Sequence, residues 1–385
     1  MTPHGDSLSF EQGPIRPPSE ARSLLIRVTR NCPWNKCTFC RTYQGETFSL
    51  RPIEEIKEDI RRMADIARRI QASAGRDREH IGRGRVPGML CQGGAPDECV
   101  GPIAAWLSCG GEAVFLQDAN SLILKTDDLA EVLSFIREQF PSVRRITTYA
   151  RARTAARKTV AELVRLREAG LSRIHVGMET GYDPLLKFIR KGATAAQQVE
   201  GGQKVREAGI SLCEYVMPGL GGRHWSTEHA VETARVLSRI NPDFIRLRTL
   251  QVVDGTPLAQ KAREGEFAVL DDEEILKEIG LFIGALEGVT STIVSDHILN
   301  LLEELEGELP GERGHMLGTI DRFFRLSPKE RVVFRLGRRM GIYRCLDDLA
   351  DGPTFSRLEG MLARHRATDS QAVEQDLAKM RMRFI

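Results

Sequence analysis

No long apolar run occurs in this chain: nothing approaches the roughly 18 to 20 residues that a membrane-spanning helix needs, so a helical span is not expected. Cysteine is scarce, and eight thiols over 385 residues are too few for a disulfide scaffold. A surplus of either charge is missing too. With 55 basic and 53 acidic residues the net charge is +2, which gives no field to argue for nonspecific attachment to nucleic acid or a membrane surface. The amino terminus, Met1 to Pro18, is polar and has Gly and Pro where a signal peptide has its apolar core. A cytoplasmic, reducing location is therefore expected, which also suits an oxygen-sensitive site.

What the chain does have is a hydrophobic fraction of 41%, enough at this length for one large α/β unit plus an extension. The run Leu24-Leu25-Ile26-Arg27-Val28 reads as a buried strand. After Pro52, the residues Ile53, Ile56, Ile60, Met63, Ile66 and Ile70 recur every three or four positions and predict an amphipathic helix. Residues 71–111, broken by Gly75, Gly82, Gly84, Pro87, Gly88 and further glycines and prolines, read as an inserted excursion. Strands are then predicted at 113–116, 145–149, 173–178, 212–216 and 244–248, with helices at 127–139, 159–169, 195–208 and 227–238. The ending Arg-Glu-Ala-Gly occurs twice, at 167–170 and 206–209, and Gly just past a helix is a C-cap signal.

Six strands alternating with helices predict an α/β fold, a partial (β/α)6 TIM-like barrel of parallel strands over residues 21–255. A loosely docked tail, 1–20, precedes it, and a mostly helical region, 256–385, follows as a C-terminal extension. In that region helices are expected near 272–286, 298–305, 313–324 and 328–341, with two more within 354–383.

Three thiols, Cys32, Cys37 and Cys40, stand within nine residues of the loop after the first strand. Iron–sulfur clusters are held by cysteine thiolates, and a four-iron cube given only three protein ligands keeps one iron open to a substrate or cofactor. The spacing, C-x4-C-x2-C, also opens the plant-type ferredoxin pattern, which needs a fourth, distant cysteine; the next one here is Cys91. A structural zinc site would likewise need a fourth ligand, and no nearby His offers itself.

With Phe39 ahead of the last cysteine, the triplet resembles that of the radical S-adenosylmethionine (SAM) superfamily, whose usual spacing is one residue shorter between the first two cysteines. The resemblance covers about residues 21–255. It implies the barrel read above, a single [4Fe–4S] cluster on Cys32, Cys37 and Cys40, and SAM bound to the open iron through its amino and carboxylate groups. An external electron donor such as flavodoxin or ferredoxin would reduce the cluster, which would cleave SAM to methionine and a 5′-deoxyadenosyl radical. That radical would abstract hydrogen from a substrate, expected to be a small molecule.

Loops at the C-terminal ends of barrel strands carry the chemistry of such folds. Where many members of the superfamily have a Gly-Gly-Glu stretch that meets the SAM amino group, this chain has Gln117-Asp118-Ala119-Asn120-Ser121. Gln117, Asp118 and Asn120 are offered as substitute acceptors for the ammonium, against a reading as a polar turn. Gly177-Met178-Glu179-Thr180-Gly181 is similar to a Gly-x-Glu-Ser-Gly stretch whose carboxylate meets the SAM ribose, which gives Glu179 that role; the alternative is an ion pair with Arg151 or another base. Met217-Pro218-Gly219-Leu220-Gly221-Gly222 resembles the loop along which the adenine lies, so Met217, Gly219 and Gly221 join the candidates. Arg151, Arg153, Arg246 and Arg248 are the cations expected to face the barrel interior, with Arg151 and Arg248 offered to the SAM carboxylate or a substrate anion.

Other features are set aside. Cys91, Cys99 and Cys109 fit no cluster spacing, Cys213 and Cys345 read as buried hydrophobes, and Asp296-His297 reads as a core or helix-cap pair. Two further readings stay open. An iron–sulfur electron-transfer or cluster-scaffold protein would need a fourth cysteine and no SAM cleft. An RNA-modifying radical enzyme would bring a basic binding module, which the near-neutral charge does not support, so nucleic acid is not the expected partner.

Overall fold

The computed structural model describes residues 8–74, 97–364, 376–377 and 379–381. It divides into two units, one made of Met1–Asn35, Thr42–Val176 and Lys204–Ser211, the other of Lys36–Arg41, Gly177–Gln203 and Leu212–Ile385.

In the first unit, the opening apolar run forms β1 (Leu24–Arg27), with Leu24 and Ile26 buried. The short strands β2 (Thr29–Arg30) and β3 (Ser49–Leu50) pair antiparallel, so the chain leaves for the cysteine loop and returns beside its point of departure. Helix α1 (Ile53–Ala74) follows, and Ile56, Ile60, Met63, Ile66 and Ile70 on its inner stripe are all at most 5% exposed. At roughly 1.5–3 kcal/mol for each such side chain, this stripe outweighs any difference in helix propensity along the segment.

The excursion expected at 71–111 is helical over α2 (Asp97–Ser108), where Cys99, Val100, Ile103 and Trp106 are buried. Gly101 and Pro102 disguise that periodicity in the sequence. Cys91 lies outside the described residues. The alternation then runs as expected through β4 (Ala113–Gln117), α3 (Thr126–Gln139), β5 (Arg145–Ala150), α4 (Ala152–Arg157), α5 (Val160–Ala169) and β6 (Leu171–Glu179). β1 pairs with β4, β4 with β5 and β5 with β6, all parallel, with Leu24 opposite Val114, Ala113 opposite Arg145 and Tyr149 opposite His175. Their C-terminal ends carry the cysteine loop, residues 117–121 and Arg151. Gly170, just past α5, has φ +124°, the left-handed cap that the repeated helix ending anticipates.

From Leu8 onward the amino-terminal segment is tied down, contrary to the loose tail expected. Glu11 pairs with Arg27 at 2.8 Å and with Arg30 at 2.7 Å, and the fully buried Glu20 meets Arg145 at 2.8 Å. A buried carboxylate keeps its charge only with such partners, which is why this segment cannot float.

The second unit contains α6 (Asp183–Phe188), most of α7 (Ala195–Glu207), β7 (Ser211–Val216), α8 (Gly222–Ile240), β8 (Phe244–Leu247), α9 (Pro257–Arg263) and α10 (Asp272–Ala285). Beyond these come β9 (Thr292–Val294), β10 (Gly307–Glu308), α11 (Arg313–Arg325), α12 (Pro328–Arg339) and α13 (Gly352–Arg364). β7, β8 and β9 run parallel, with Tyr215 opposite Arg246 and Ile245 opposite Ile293, and β10 closes antiparallel on β9. The six expected strands are all present, and the α/β class holds.

β9, a parallel neighbour of β8 beyond residue 255, is an addition, so the boundary drawn there from the sequence cuts through paired strands. The helix expected at 298–305 does not form. Its carbonyls are taken from outside: Arg338 donates to Leu301 O at 2.8 Å and Asn300 O at 3.0 Å, Arg339 to Leu299 O at 3.1 Å, and Ser295 to Leu302 O at 2.8 Å. α10 packs on α8 and begins at Asp272. Burial opposes the charge on Asp272, yet Arg339, Arg381 and Arg335 hold its carboxyl well below the usual range. Arg381 also donates to Leu250 O at 3.0 Å, which ties the carboxyl-terminal segment to the turn after β8.

Candidate cofactor site

The cysteine loop starts with two residues that need a left-handed backbone, Asn31 at φ +66° and Asn35 at φ +45°, and asparagine tolerates that region better than most side chains. Their amides brace the loop: Asn31 donates to Thr47 O at 2.7 Å, and Asn35 donates to Tyr43 O and Glu46 O. In the first unit the loop hangs on Asp118, at the end of β4. Its Oδ2 accepts from Arg27 Nε at 2.8 Å and from the Asn31 N–H at 3.0 Å, while Oδ1 accepts from the Tyr43 hydroxyl at 3.0 Å.

Asp118 is fully buried, and its neighbours are engaged as well. Gln117 accepts from the Gly13 N–H at 2.9 Å and donates to Gly13 O at 3.0 Å and Ile15 O at 2.9 Å. Asn120 accepts from the Arg151 N–H at 3.1 Å and donates to Thr154 at 2.9 Å. The open acceptors expected for an ammonium are thus turned to internal bonds, because each faces a donor of its own unit. The Arg151 guanidinium sits 4.9 Å from the ring of Trp34, a cation–π contact that the sequence did not disclose.

In the second unit, Glu179 ends β6 with φ +66°, a costly conformation for a side chain of this kind. Its carboxylate accepts from Lys191 Nζ at 2.8 Å, and both side chains are nearly buried, 12% and 13% exposed. Lys191 is the base that Glu179 meets, and its ammonium also lies 6.0 Å from the ring of Phe39. Gly177 makes room for the pair, since a Cβ there would fall 2.4 Å from Glu179 Oε1 and 3.2 Å from Lys191 Nζ. Glu214 on β7 is buried, and its Oε2 has no hydrogen-bond partner among the described residues. Burial pushes its carboxyl well above the ordinary range, with Lys191 opposing and Glu179 adding to the rise. Neither Lys191 nor Glu214 belongs to a motif, and the sequence reading missed both.

The Met217 to Gly222 loop follows β7. The Met217 N–H donates to Glu179 O at 3.0 Å, which fixes the loop beside the end of β6. Gly219 has φ +87°, and a Cβ on Gly221 would lie 2.7 Å from the carbonyl oxygen of Trp225, so both glycines answer first to the turn. Arg246 pairs with Asp296, and the Arg248 guanidinium lies 5.9 Å from the Tyr215 ring. His297 is pulled down to about 4 by burial and then by Arg248.

The thiols of Cys32, Cys37 and Cys40 are half-buried and form no disulfide among the described residues. Cys32 Sγ accepts from the Asn35 N–H at 3.4 Å, and the Cys40 N–H donates to Cys37 O at 3.2 Å. Between the latter two cysteines, the buried Thr38 donates its N–H to Ile189 O at 3.0 Å and accepts from the Leu258 N–H at 2.9 Å. Among the described residues, no three His, Cys, Asp or Glu side chains are gathered as a preformed metal set. What fits a cluster is the donor chemistry, three cysteine thiols within nine residues of chain. Of the cysteines set aside, Cys99 and Cys213 are buried, Cys109 is exposed, and Cys345 is only half-buried.

Comparison with known proteins places residues 102–237 on the family model of the radical SAM superfamily. A tRNA uridine(34) acetyltransferase of Methanocaldococcus jannaschii is 23% identical over 119 residues, 31% of this chain and 22% of that protein. The uncharacterised protein YtqA of Bacillus subtilis is 23% identical over 148 residues, 37% of this chain and 45% of its own length. The chain therefore spans less than half of these curated relatives. Among solved structures, coproporphyrinogen III oxidase of Escherichia coli, described as a radical SAM enzyme, aligns with TM-score 0.42 and 14% identity over 68% of this chain and 52% of that one. Among the described residues, no helix is long and apolar enough to cross a membrane.

Proposed function

We propose, from the premise that residues 102–237 belong to the radical SAM superfamily, that this chain is a radical SAM enzyme acting on a small molecule. The observation that carries the reading is Glu179, a nearly buried carboxylate at a strand end, held in a left-handed backbone by Met217 and Lys191. Such strain costs about 1–3 kcal/mol and persists where the surroundings over-determine it, which is commonest at ligand sites.

Cys32, Cys37 and Cys40 are the residues to hold a [4Fe–4S] cluster, in a loop that Asp118 anchors from β4 through Asn31 and Tyr43. With SAM bound, the cluster supplies one-electron cleavage of the sulfonium. The chain's own part is binding and orientation. Glu179 accepts from the ribose hydroxyls, and Lys191 balances its charge. Burial disfavours the charge on Glu214, which limits its repulsion with Glu179. The Met217 to Gly222 backbone flanks the adenine. Arg248, 5.9 Å from the Tyr215 ring, supplies a cation for the carboxylate of SAM or of a substrate. Gln117, Asp118 and Asn120 act at one remove, by shaping the turn.

A second reading, an RNA substrate, is favoured by the relatives named as tRNA uridine(34) acetyltransferases, although 22% of the length of one of them is all that is shared. Anaerobic reconstitution with iron and sulfide, followed by dithionite and SAM, should release 5′-deoxyadenosine and methionine. A low-mass extract should stimulate the release; stimulation by bulk tRNA alone would transfer the proposal to RNA. A loaded cluster that never consumes SAM would instead favour electron transfer or cluster storage.

A further inference from the structure

Behind the Met217 to Gly222 loop lies a buried polar chain that none of the roles above uses. Glu278 on α10 accepts from the Gly219 N–H at 2.6 Å through Oε1 and from the Ser226 hydroxyl at 2.6 Å through Oε2. His229 on α8 lies 3.1 Å from Met217 O through Nε2 and 2.8 Å from the Thr180 hydroxyl through Nδ1. Both side chains are 2% exposed.

The tautomer follows from the partners. A carbonyl only accepts, so Nε2 carries the hydrogen and donates to Met217 O; Nδ1 then accepts from Thr180. His229 is neutral, since burial lowers it to about 4, and its 3.6 Å approach to Glu278 is therefore not an ion pair. Thr180 is the residue after Glu179, and Gly181 beside it donates its N–H to Thr233 Oγ1 at 2.8 Å. A Cβ on Gly181 would lie 2.6 Å from Glu232 O, so this turn sits directly on the α8 backbone. The chain thus clasps the Gly-rich loop at Gly219 and at Met217, and joins the second point to the Glu179 turn. The adjoining cavity, about 10 Å³, has room for at most one water, so the chain is not itself a ligand pocket.

We infer that Glu278 and His229 are positioning residues that fix the Gly-rich loop relative to Glu179 and thereby set the affinity for the nucleoside half of SAM. The inference rests on the SAM reading above. Hydrogen bonds to a buried carboxylate carry directional restraint that apolar packing does not, and Gly219 has no side chain of its own to hold it. Burial lifts Glu278 to about 7 against the Gly219 and Ser226 donors, so Gln is a fair replacement for the protonated form.

The test is calorimetric titration of SAM, and of methionine, into anaerobically reconstituted wild type and variants with equal iron content. Glu278→Ala should weaken SAM at least tenfold and leave methionine within twofold, while Glu278→Gln stays within about threefold of wild type for both. Thr180→Val and Ser226→Ala, milder changes that carry the test if Glu278→Ala does not fold, should each weaken SAM about threefold or more with methionine unchanged. SAM affinity within twofold in all variants that fold, or equal losses for SAM and methionine, overturns the inference and leaves the radical SAM reading standing. A reconstituted wild type that binds no SAM removes both.

Discussion

Tyr43 gives its phenolic hydrogen to Asp118 at 3.0 Å, joining the strand that ends at Gln117 to the chain just beyond the third cysteine. Burial first, and the Asp118 charge second, push the phenol well above its ordinary range, which favours the donor form. Tyr43→Phe should cost about 1.5–3 kcal/mol, the range for a hydrogen bond to a charged group. Asp118→Asn should cost more, because it removes the charge that Arg27, the Asn31 N–H and the Tyr43 hydroxyl all bond, although Arg27 keeps Glu11 at 2.8 Å. Urea unfolding of the two variants measures the order. Equal and negligible losses would show that the loop does not depend on Asp118.

Glu179→Ala should leave the cluster bound and weaken SAM by about tenfold to a hundredfold, the equivalent of roughly 1.5–3 kcal/mol for charge-assisted hydrogen bonds. Asp, one methylene shorter, should recover little. Lys191→Met should also weaken SAM, since it leaves Glu179 without its 2.8 Å partner. If Glu179 were only structural, its loss would lower the melting temperature with SAM affinity within about twofold.

Stability against pH separates the two buried groups behind the Gly-rich loop. Glu278 rises from an ordinary 4.5 to about 7, so its contribution is complete below 4.5 and is lost as pH climbs through 7. His229 falls from 6.5 to about 4, so its contribution is complete above 6.5 and is lost as pH drops through 4. Between those ordinary values the two slopes oppose each other, each about 1.4 kcal/mol per pH unit. Glu278→Gln removes one slope, and the variant should gain about 1–3 kcal/mol on wild type between pH 5 and about pH 7.5. Parallel curves for the two proteins would mean that Glu278 does not titrate there.

How far the sequence reveals this molecule depends on what each residue must satisfy. Strands such as Ala113–Gln117 and Leu171–Glu179 are legible because apolar runs of that length between helical periods have few other uses. β9 is not, since Thr292–Val294 is too short to stand out from apolar surroundings. Ile298 to Leu305 has apolar spacing suited to a helix, but carbonyl capture by Arg338 and Arg339 is a tertiary effect with no local signature. In the candidate site, the cysteines and Glu179 are proposed from motif spacing. Lys191 and Glu214 are single charges in otherwise ordinary segments, and only the fold brings them to Glu179. Asp118 shows the converse: its chemistry as an acceptor is readable, but which donor claims it is not.

Iron content after anaerobic reconstitution tests the assignment of the three thiols most directly. Wild type should take up about four irons per chain, the complement of one cubane. Replacing Cys32, Cys37 and Cys40 together by Ala should abolish both the iron and its charge-transfer absorbance, while replacing Cys91, Cys99 and Cys109 should leave them intact. Iron and absorbance that survive the first triple change, or vanish with the second, would contradict it.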